Sequence, residues 1–540
     1  MRLRISFSVS LTLAATLMPV TAHGADPTEQ LRQILATHID SPIHRQVELS
    51  AVVGSLHKID DLRKALELEE WLDNGVDERL AAVDRQQRSI LADRFVAYVR
   101  HQLARGDDAT RLALLDMLGS MGRTVRDGRR PQPLTWRFSS DLATSIAAGP
   151  EHISLAATRA LKNIQPEPQS VAPALRKALK NGSPAVRSAV ADVLVYWMDT
   201  EGRRFRSHAS ATKSPVRAED VIQLAQSVAQ TAEVGLQDRE THIRQLSLLA
   251  IERAAAAVRM IAPPARTDAG EIIQLPSGIA PFLSILRNLG NALSPSLTDE
   301  SVEVRLRALQ TLEELAQTHL QWGRTLQRSG LLQPPDHPLG TGFESILQVL
   351  GCALCDKDVR IRRRAVGVLE TFGPAAIPAV QVLVKALEDQ DLFVRWSAAR
   401  TLGKMGEQAA NQATPALIQR FDDAAVEVRL AAILAVHDLG PAASQAVPAL
   451  LQKTLARQAR VRAAALQALQ SFPSEADSIL ECAVAALDDP DPDVRIEAAR
   501  LLGTFGPRAR DALSALERAL SDESPHVRHE IHQALIAIQR

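Results

Sequence analysis

Apolar side chains recur along this chain with the period of a helix, interrupted at regular intervals by short polar turns. The stretch Asp491 to Gly506, DPDVRIEAARLLGTFG, shows the plan. Val494, Ala498, Leu501, Leu502 and Phe505 stand three or four residues apart, which puts them on one helical face. Asp491 suits the capping position, where its carboxylate can accept from the first free N–H groups, and Pro492 suits the first helical position. Gly503 and Gly506 mark the end of the run, and the apolar pattern resumes at Ala512, Leu513, Leu516 and Leu520 as a second helix. The predicted unit is a helical hairpin.

The unit repeats. Arginine recurs at Arg528, Arg495, Arg462, Arg429, Arg395 and Arg362, at intervals of 33, 33, 33, 34 and 33 residues. Val or Ile precedes each of these arginines, and Ala follows three later in five of the six. Glycine stands eleven residues after the arginine at Gly373, Gly406, Gly440 and Gly506. In the last unit, VRHEIHQALIAIQR, Ile531 replaces that Ala and His532 stands where Ala499 stands one unit earlier. A terminal unit needs such a polar outer face. The register continues towards the N-terminus through Arg305, Arg244, Arg187, Ser154 (in place of Arg), Arg111, Arg79 and Arg45. This gives about 13 units. Alternating β-branched runs that would signal strands are absent, and aromatic residues make up only 3% of the chain.

SPAVRSAVADVL, DLFVRWSAARTLGKMG and DPDVRIEAARLLGTFG resemble HEAT repeats, most closely the subtype of phycobilisome-lyase-like proteins. The resemblance covers roughly residues 30–540 and is strongest over 345–540. It implies an all-α, armadillo-like fold: a HEAT-repeat α-solenoid, a right-handed superhelix of stacked hairpins. The expected organisation is a signal peptide at 1–24, divergent helical repeats at 25–140, HEAT-like repeats with long insertions at 141–344, and regular 33-residue repeats with a C-terminal cap at 345–540. The recurring arginine is expected to form a structural row bonded to Asp or carbonyl groups of the adjoining unit, with Asp358, Asp391 and Asp491 recurring four residues before it.

Charge and the N-terminus narrow the functional classes. Residues 1–24 carry Arg2 and Arg4, a short apolar run, Pro19 and small residues at Ala22 and Gly24, the pattern of a cleaved secretory signal. A periplasmic or secreted protein is expected, with no transmembrane segment after cleavage. Without Arg2 and Arg4 the 62 basic residues fall to 60 against 63 acidic ones, which does not suit a general nucleic-acid binder.

Departures from the repeat point to a binding edge. The intervals swell between Arg111 and Ser154 and from Arg187 through Arg244 and Arg305 to Arg362, each time after the arginine-bearing helix. Insertions at one point of stacked repeats emerge along one edge. The first carries Arg123, Arg126, Arg129, Arg130, Trp136 and Arg137; the second Arg203, Arg204, Phe205 and Arg206; the fourth Trp322, Arg324 and Arg328. Arginine beside exposed aromatic side chains is the composition of contact surfaces. The expected ligand is a protein partner, or else an anionic glycan or lipid head group.

The remaining chemistry is sparse. Cys352 and Cys355 are three apart on a predicted helix, within disulfide range, so a labile disulfide and two plain thiols are both open. Cys482 lies on an apolar helix as a core residue. His529-Glu530 is similar to the His-Glu pairs with which the HEAT-repeat enzyme deoxyhypusine hydroxylase holds two irons, but that pattern needs four pairs and one is present. No catalytic residue, metal site or cofactor is therefore assigned. The leading expectation is an exported interaction scaffold or adaptor; the alternative is a lyase or isomerase whose residues converge only in three dimensions.

Overall fold

The computed structural model describes residues 96–124 (except Tyr98), 134–164, 168–208, 218–261, 276, 278–328 and 344–540. The predicted signal at 1–24, and nearly all of the divergent repeats up to residue 95, lie outside them. Among the described residues all regular structure is helical. Contacts divide the chain into two compact units, Met1–Val171 and Ala172–Arg540.

In the first unit α1 (Asp108–Thr124) is followed by a 3-10 turn (Leu134–Phe138), α2 (Ser139–Ala148) and α3 (Glu151–Ile164). Ser154, in the arginine position, is buried, and its hydroxyl donates to the Ser145 and Gly149 carbonyls, so it ties the local turn without reaching a neighbouring repeat.

The second unit begins within α4 (Pro168–Asn181). It continues through α5 (Pro184–His208), α6 (Ala218–Ala232), α7 (Thr241–Met260), α8 (Ile279–Ala292), α9 (Ser294–Leu297), α10 (Val302–Arg328) and α11 (Glu344–Ala353). The regular part consists of α12 (Val359–Phe372), α13 (Val380–Ala386), α14 (Leu392–Lys404), α15 (Glu407–Arg420), α16 (Val426–Leu439) and α17 (Val447–Lys453). It ends with α18 (Ala459–Leu469), α19 (Ala476–Ala486), α20 (Pro492–Phe505), α21 (Leu513–Ala519) and α22 (Pro525–Gln539). The arginine-bearing helices α5, α7, α10, α12, α14, α16, α18, α20 and α22 pack one against the next as one layer, and the intervening helices form the other.

The repeat grammar explains the packing. The apolar residue before each arginine (Ile361, Val394, Val428, Val461, Val494, Val527) is buried, as is the residue three after it, Ala in the first five and Ile531 in the last. The four glycines eleven residues after the arginine are where the chain leaves the helix: Gly373, Gly406, Gly440 and Gly506 have φ of 56°, 72°, 69° and 54°. Only glycine enters this region without strain. Two stretches apolar and long enough by composition to cross a membrane, Val359–Ala386 and Val426–Lys453, each turn at such a glycine, and about half of the most apolar window is buried (44% and 50%).

Gly503 is not a terminator as its spacing suggested. It lies inside α20, where a Cβ would come 3.1 Å from Ala534 Cα of α22; Gly403 approaches Ala435 Cα at 2.9 Å and Gly119 approaches Ala160 Cα at 3.2 Å. A glycine eight residues after the arginine thus meets an alanine of the corresponding helix in the next repeat, and backbones approach closely there. Gly367, in α12, has open space where a Cβ would stand. Gly367→Ala is expected to stabilise the protein by about 1 kcal/mol through helix propensity. Gly403→Leu is expected to destabilise it by about 3 kcal/mol through overpacking against backbone. Denaturant titration of the two variants checks both signs.

The irregular repeats differ from expectation. Part of their extra length is extra helix: α5, α7 and α10 run to 25, 20 and 27 residues where α12, α16 and α20 have 14. The apolar periodicity simply continues, through Leu312, Leu315, Ala316 and Trp322 in α10, all fully buried. Polar side chains fasten this long helix to α7. Thr311 donates to the Leu248 carbonyl (3.2 Å), Thr318 to Ala255 (3.2 Å) and Trp322 Nε1 to Val258 (3.1 Å).

Candidate interaction surface

The recurring arginine builds a ladder at the edge of the second unit where the arginine-bearing helices begin. Arg187, Arg244, Arg305, Arg362, Arg395, Arg462 and Arg495 each reach the aspartate of the following repeat: Asp238, Asp299, Asp356, Asp389, Asp423, Asp489 and Asp522, at 2.6–2.9 Å. The contact is a two-pronged fork, as with Arg395 Nε and Nη2 on the two Asp423 oxygens, both at 2.9 Å. The third arm, Nη1, donates to the carbonyl of the aspartate in the arginine's own repeat, as from Arg395 to Asp389 at 2.8 Å. The same carboxylate also accepts the N–H two residues on, such as Asp423 from Ala425 at 2.9 Å. Each aspartate therefore joins two arginines and starts a helix.

The rung aspartate stands six residues before the next arginine. Asp358, Asp391 and Asp491, four before it, are instead helix caps, which accept from the backbone N–H of Arg360, Val394 and Asp493. The expected row exists, with a different set of carboxylates. The spacing was legible, since Asp238, Asp299, Asp356, Asp389, Asp423, Asp489 and Asp522 all share it.

Rung side chains are nearly withdrawn from water, with 8–16% of the arginine and 4–12% of the aspartate surface exposed. Hydrogen bonding to aspartate raises the pKa of Arg362, Arg395, Arg462 and Arg495 further. Burial opposes ionisation of Asp423 and Asp489, yet their arginine and N–H hydrogen bonds together hold both below the usual carboxylate value; the Arg495 fork does the same for Asp522. At the exposed cap, hydrogen bonds from Arg360 lower Asp358 to about 2.

One rung is missing. The residue six before Arg462 is Ala456, and Arg429 instead donates from Nη2 to the Gln458 side-chain oxygen at 2.7 Å. The whole loop around it is altered. Residues 455–462 read LARQARVR with no acid, whereas the loops on either side, DDAAVEVR (422–429) and DDPDPDVR (488–495), hold three and four acids against one arginine. Arg457 and Arg460 are exposed, and neither guanidinium has a partner among the described residues. Leu455 is 86% exposed, the most of any large apolar side chain described. Sequence reasoning passed over this site because it searched for long insertions; aligning the turns by charge would have found it.

The sequence-predicted site residues lie elsewhere, and several are not on loops. Arg203, Arg204, Phe205 and Arg206 belong to α5, Arg324 and Arg328 to α10, and Arg123 to α1. Trp322 is fully buried against α7 and presents nothing to a partner. Trp136 is half-buried in the 3-10 turn, its indole N–H donating to the Ile164 carbonyl at 3.3 Å, while Arg137 beside it is exposed. Arg126, Arg129 and Arg130 lie outside the described residues. Arg203, Arg204, Phe205, Arg206, Arg324 and Arg328 lie towards the C-terminal ends of α5 and α10, opposite the ends at which the ladder stands.

Cys352 and Cys355 are free, exposed thiols. Cys355 borders an open depression of about 380 Å³ over the Arg362–Asp389 rung, also lined by Asp356, Lys385 and Glu388. Its arginine and both aspartates are engaged in rungs. Cys482 is only partly buried; burial pushes its thiol up, with Thr454 Oγ1 3.0 Å away. Glu530 accepts from Arg500 at 2.9 Å and so serves a second set of inter-repeat ion pairs. Among the described residues no group of three or more His, Cys, Asp and Glu could hold a metal ion.

This two-layered stack of arginine-linked hairpins is an α-solenoid. A family model of HEAT repeats matches residues 344–436 and 480–540, so these stretches of the stack are HEAT repeats. The match is to HEAT repeats in general and does not single out the phycobilisome-lyase-like subtype. Among solved structures, the chain is similar to importin beta at 15% identity, covering 95% of this chain and 66% of that one, with a TM-score of 0.46. It is also similar to Kap95p, whose binding induces the switch loops of RanGDP to adopt the GTP-bound conformation, at 11% identity, 98% and 65% coverage and a TM-score of 0.39. The chain spans just under two thirds of either protein. No curated protein matches it.

Proposed function

We propose that this chain is a protein-interaction scaffold, exported as residues 1–24 suggest, that holds a protein partner on the surface of its solenoid. The observation that carries the proposal is the ladder with its one altered loop. Seven rungs fix the spacing of successive repeats, and a surface whose spacing is fixed loses little conformational entropy on binding. Where the rung is absent, unpaired arginines, a side-chain type on which interfaces concentrate their energy, stand beside an exposed leucine that offers apolar contact.

The mature chain, immobilised and exposed to envelope extract, is expected to retain one protein in stoichiometric amount, identified by mass spectrometry and reconstituted from purified components. A parallel variant with Arg129, Arg130, Arg203, Arg204 and Arg206 changed to Ser asks whether the insertion edge contributes. A chain that retains no protein in either form contradicts the scaffold reading. Sequencing of the exported product should find a terminus close to Ala25, and an uncleaved product contradicts the export reading.

A further inference from the structure

We propose that the loop Leu455–Arg462 is the docking site for a short acidic segment of a protein partner, one that sets carboxylates beside an apolar side chain. This rests on the scaffold reading and adds where the partner binds and with what chemistry. Every other rung from Arg187 to Asp522 satisfies its arginine with a carboxylate from within the chain. Arg429 alone among these meets a neutral amide, and Arg457 and Arg460 stand unpaired in the same loop. An incoming carboxylate would meet there guanidinium donors like those that Arg395 offers Asp423, one repeat away. Leu455 supplies the apolar contact next to it.

The neighbouring loops decide the class of partner. Asp422, Asp423 and Glu427 stand on one side, and Asp488, Asp489, Asp491 and Asp493 on the other. The basic patch is therefore one repeat wide, about 10 Å. An extended polyanion such as a nucleic acid, or a flat anionic bilayer, would have to lie across both acidic loops. A peptide carrying a few carboxylates fits within the gap. The completed rungs also indicate what would close the site: Ala456→Asp would give Arg429 its internal partner and place a negative charge where the peptide binds.

The test is selection of a random dodecapeptide library displayed on phage against the intact mature chain, followed by fluorescence anisotropy with the most enriched peptide. Enriched sequences are expected to combine Asp or Glu with Leu, Ile or Phe. Arg457→Glu with Arg460→Glu should weaken binding at least roughly tenfold. Arg457→Gln with Arg460→Gln, Leu455→Ser and Ala456→Asp should each weaken it as well, the last while raising the melting temperature. Both arginines are exposed and unpaired, so circular dichroism should show the charge variants folded. Peptides without acids, or peptides indifferent to these substitutions, overturn the docking site and leave the scaffold standing. Tighter binding of phosphatidylglycerol vesicles or of a twelve-residue oligodeoxythymidine through the same arginines overturns the peptide class. Failure to enrich any peptide overturns the docking site, while retention of a protein by the intact chain decides separately whether the scaffold reading stands.

Discussion

Arg395→Ala is expected to destabilise the protein by about 3–5 kcal/mol, the cost of leaving a buried charge without its partner. Asp423, only 4% exposed, would keep the Ala425 N–H and a distant Arg420 (3.9 Å) as its remaining support. The Asp389 and Gln390 carbonyls would lose their donor as well. Because each repeat of a solenoid is stabilised by its neighbours, the damage should be local at first. Hydrogen exchange should quicken in α14 to α17 before the rest of the second unit, and the thermal transition should broaden. A variant that melts like the natural chain would mean the rungs do not couple the repeats.

Acid should act on the Asp423, Asp489 and Asp522 rungs, and the sign follows from these aspartates. Asp423, Asp489 and Asp522 are held below their unfolded values, so the folded chain binds fewer protons than the unfolded one at low pH. Their contribution is complete above the unfolded value of about 4 and is lost as pH falls through the lower folded values. Unfolding midpoints should be flat from neutrality to about pH 5 as far as these groups are concerned, then drop steeply below about pH 4.

Trp322→Ala is the second large effect, about 3–5 kcal/mol for truncating a fully buried aromatic side chain. The Val258 carbonyl would also lose the indole N–H that now donates to it. A tryptophan on a projecting binding loop would give the opposite outcome: unchanged stability and weakened partner binding. Denaturant titration of the purified variant separates the two, and Arg203→Ser, at an exposed position on α5, serves as the near-neutral comparison.

The contrast between Trp322 and Arg395 shows what could be read from the chain. Helical hairpins, left-handed glycines at Gly373, Gly406, Gly440 and Gly506, and a structural arginine row were legible because local rules set them: capping, helical period and the φ that only glycine adopts easily. Trp322 was misplaced because the helix was assumed to end at the regular repeat length, whereas its apolar face continues and finds α7 to pack on. The rung partners were misassigned for a related reason. Asp391 and Asp389 both precede Arg395 at recurring spacings, and only the turn geometry separates them: Asp391 caps its own helix and takes Arg363, whereas Asp389 takes the rung arginine Arg362. The altered loop was visible as letters but had no meaning until the ladder showed what Ala456 replaces.

The thermal unfolding midpoint of Ala456→Asp tests the ladder most directly. If successive repeats are coupled by an arginine fork on an aspartate that also bonds the N–H two residues on, this substitution completes the missing rung. The midpoint should then rise by the equivalent of about 2–4 kcal/mol, the sum expected of one charged hydrogen-bond pair and one helix-start bond. An unchanged or lowered midpoint would contradict the account, because it would show that Arg429 lacks nothing that its counterparts in the other repeats possess.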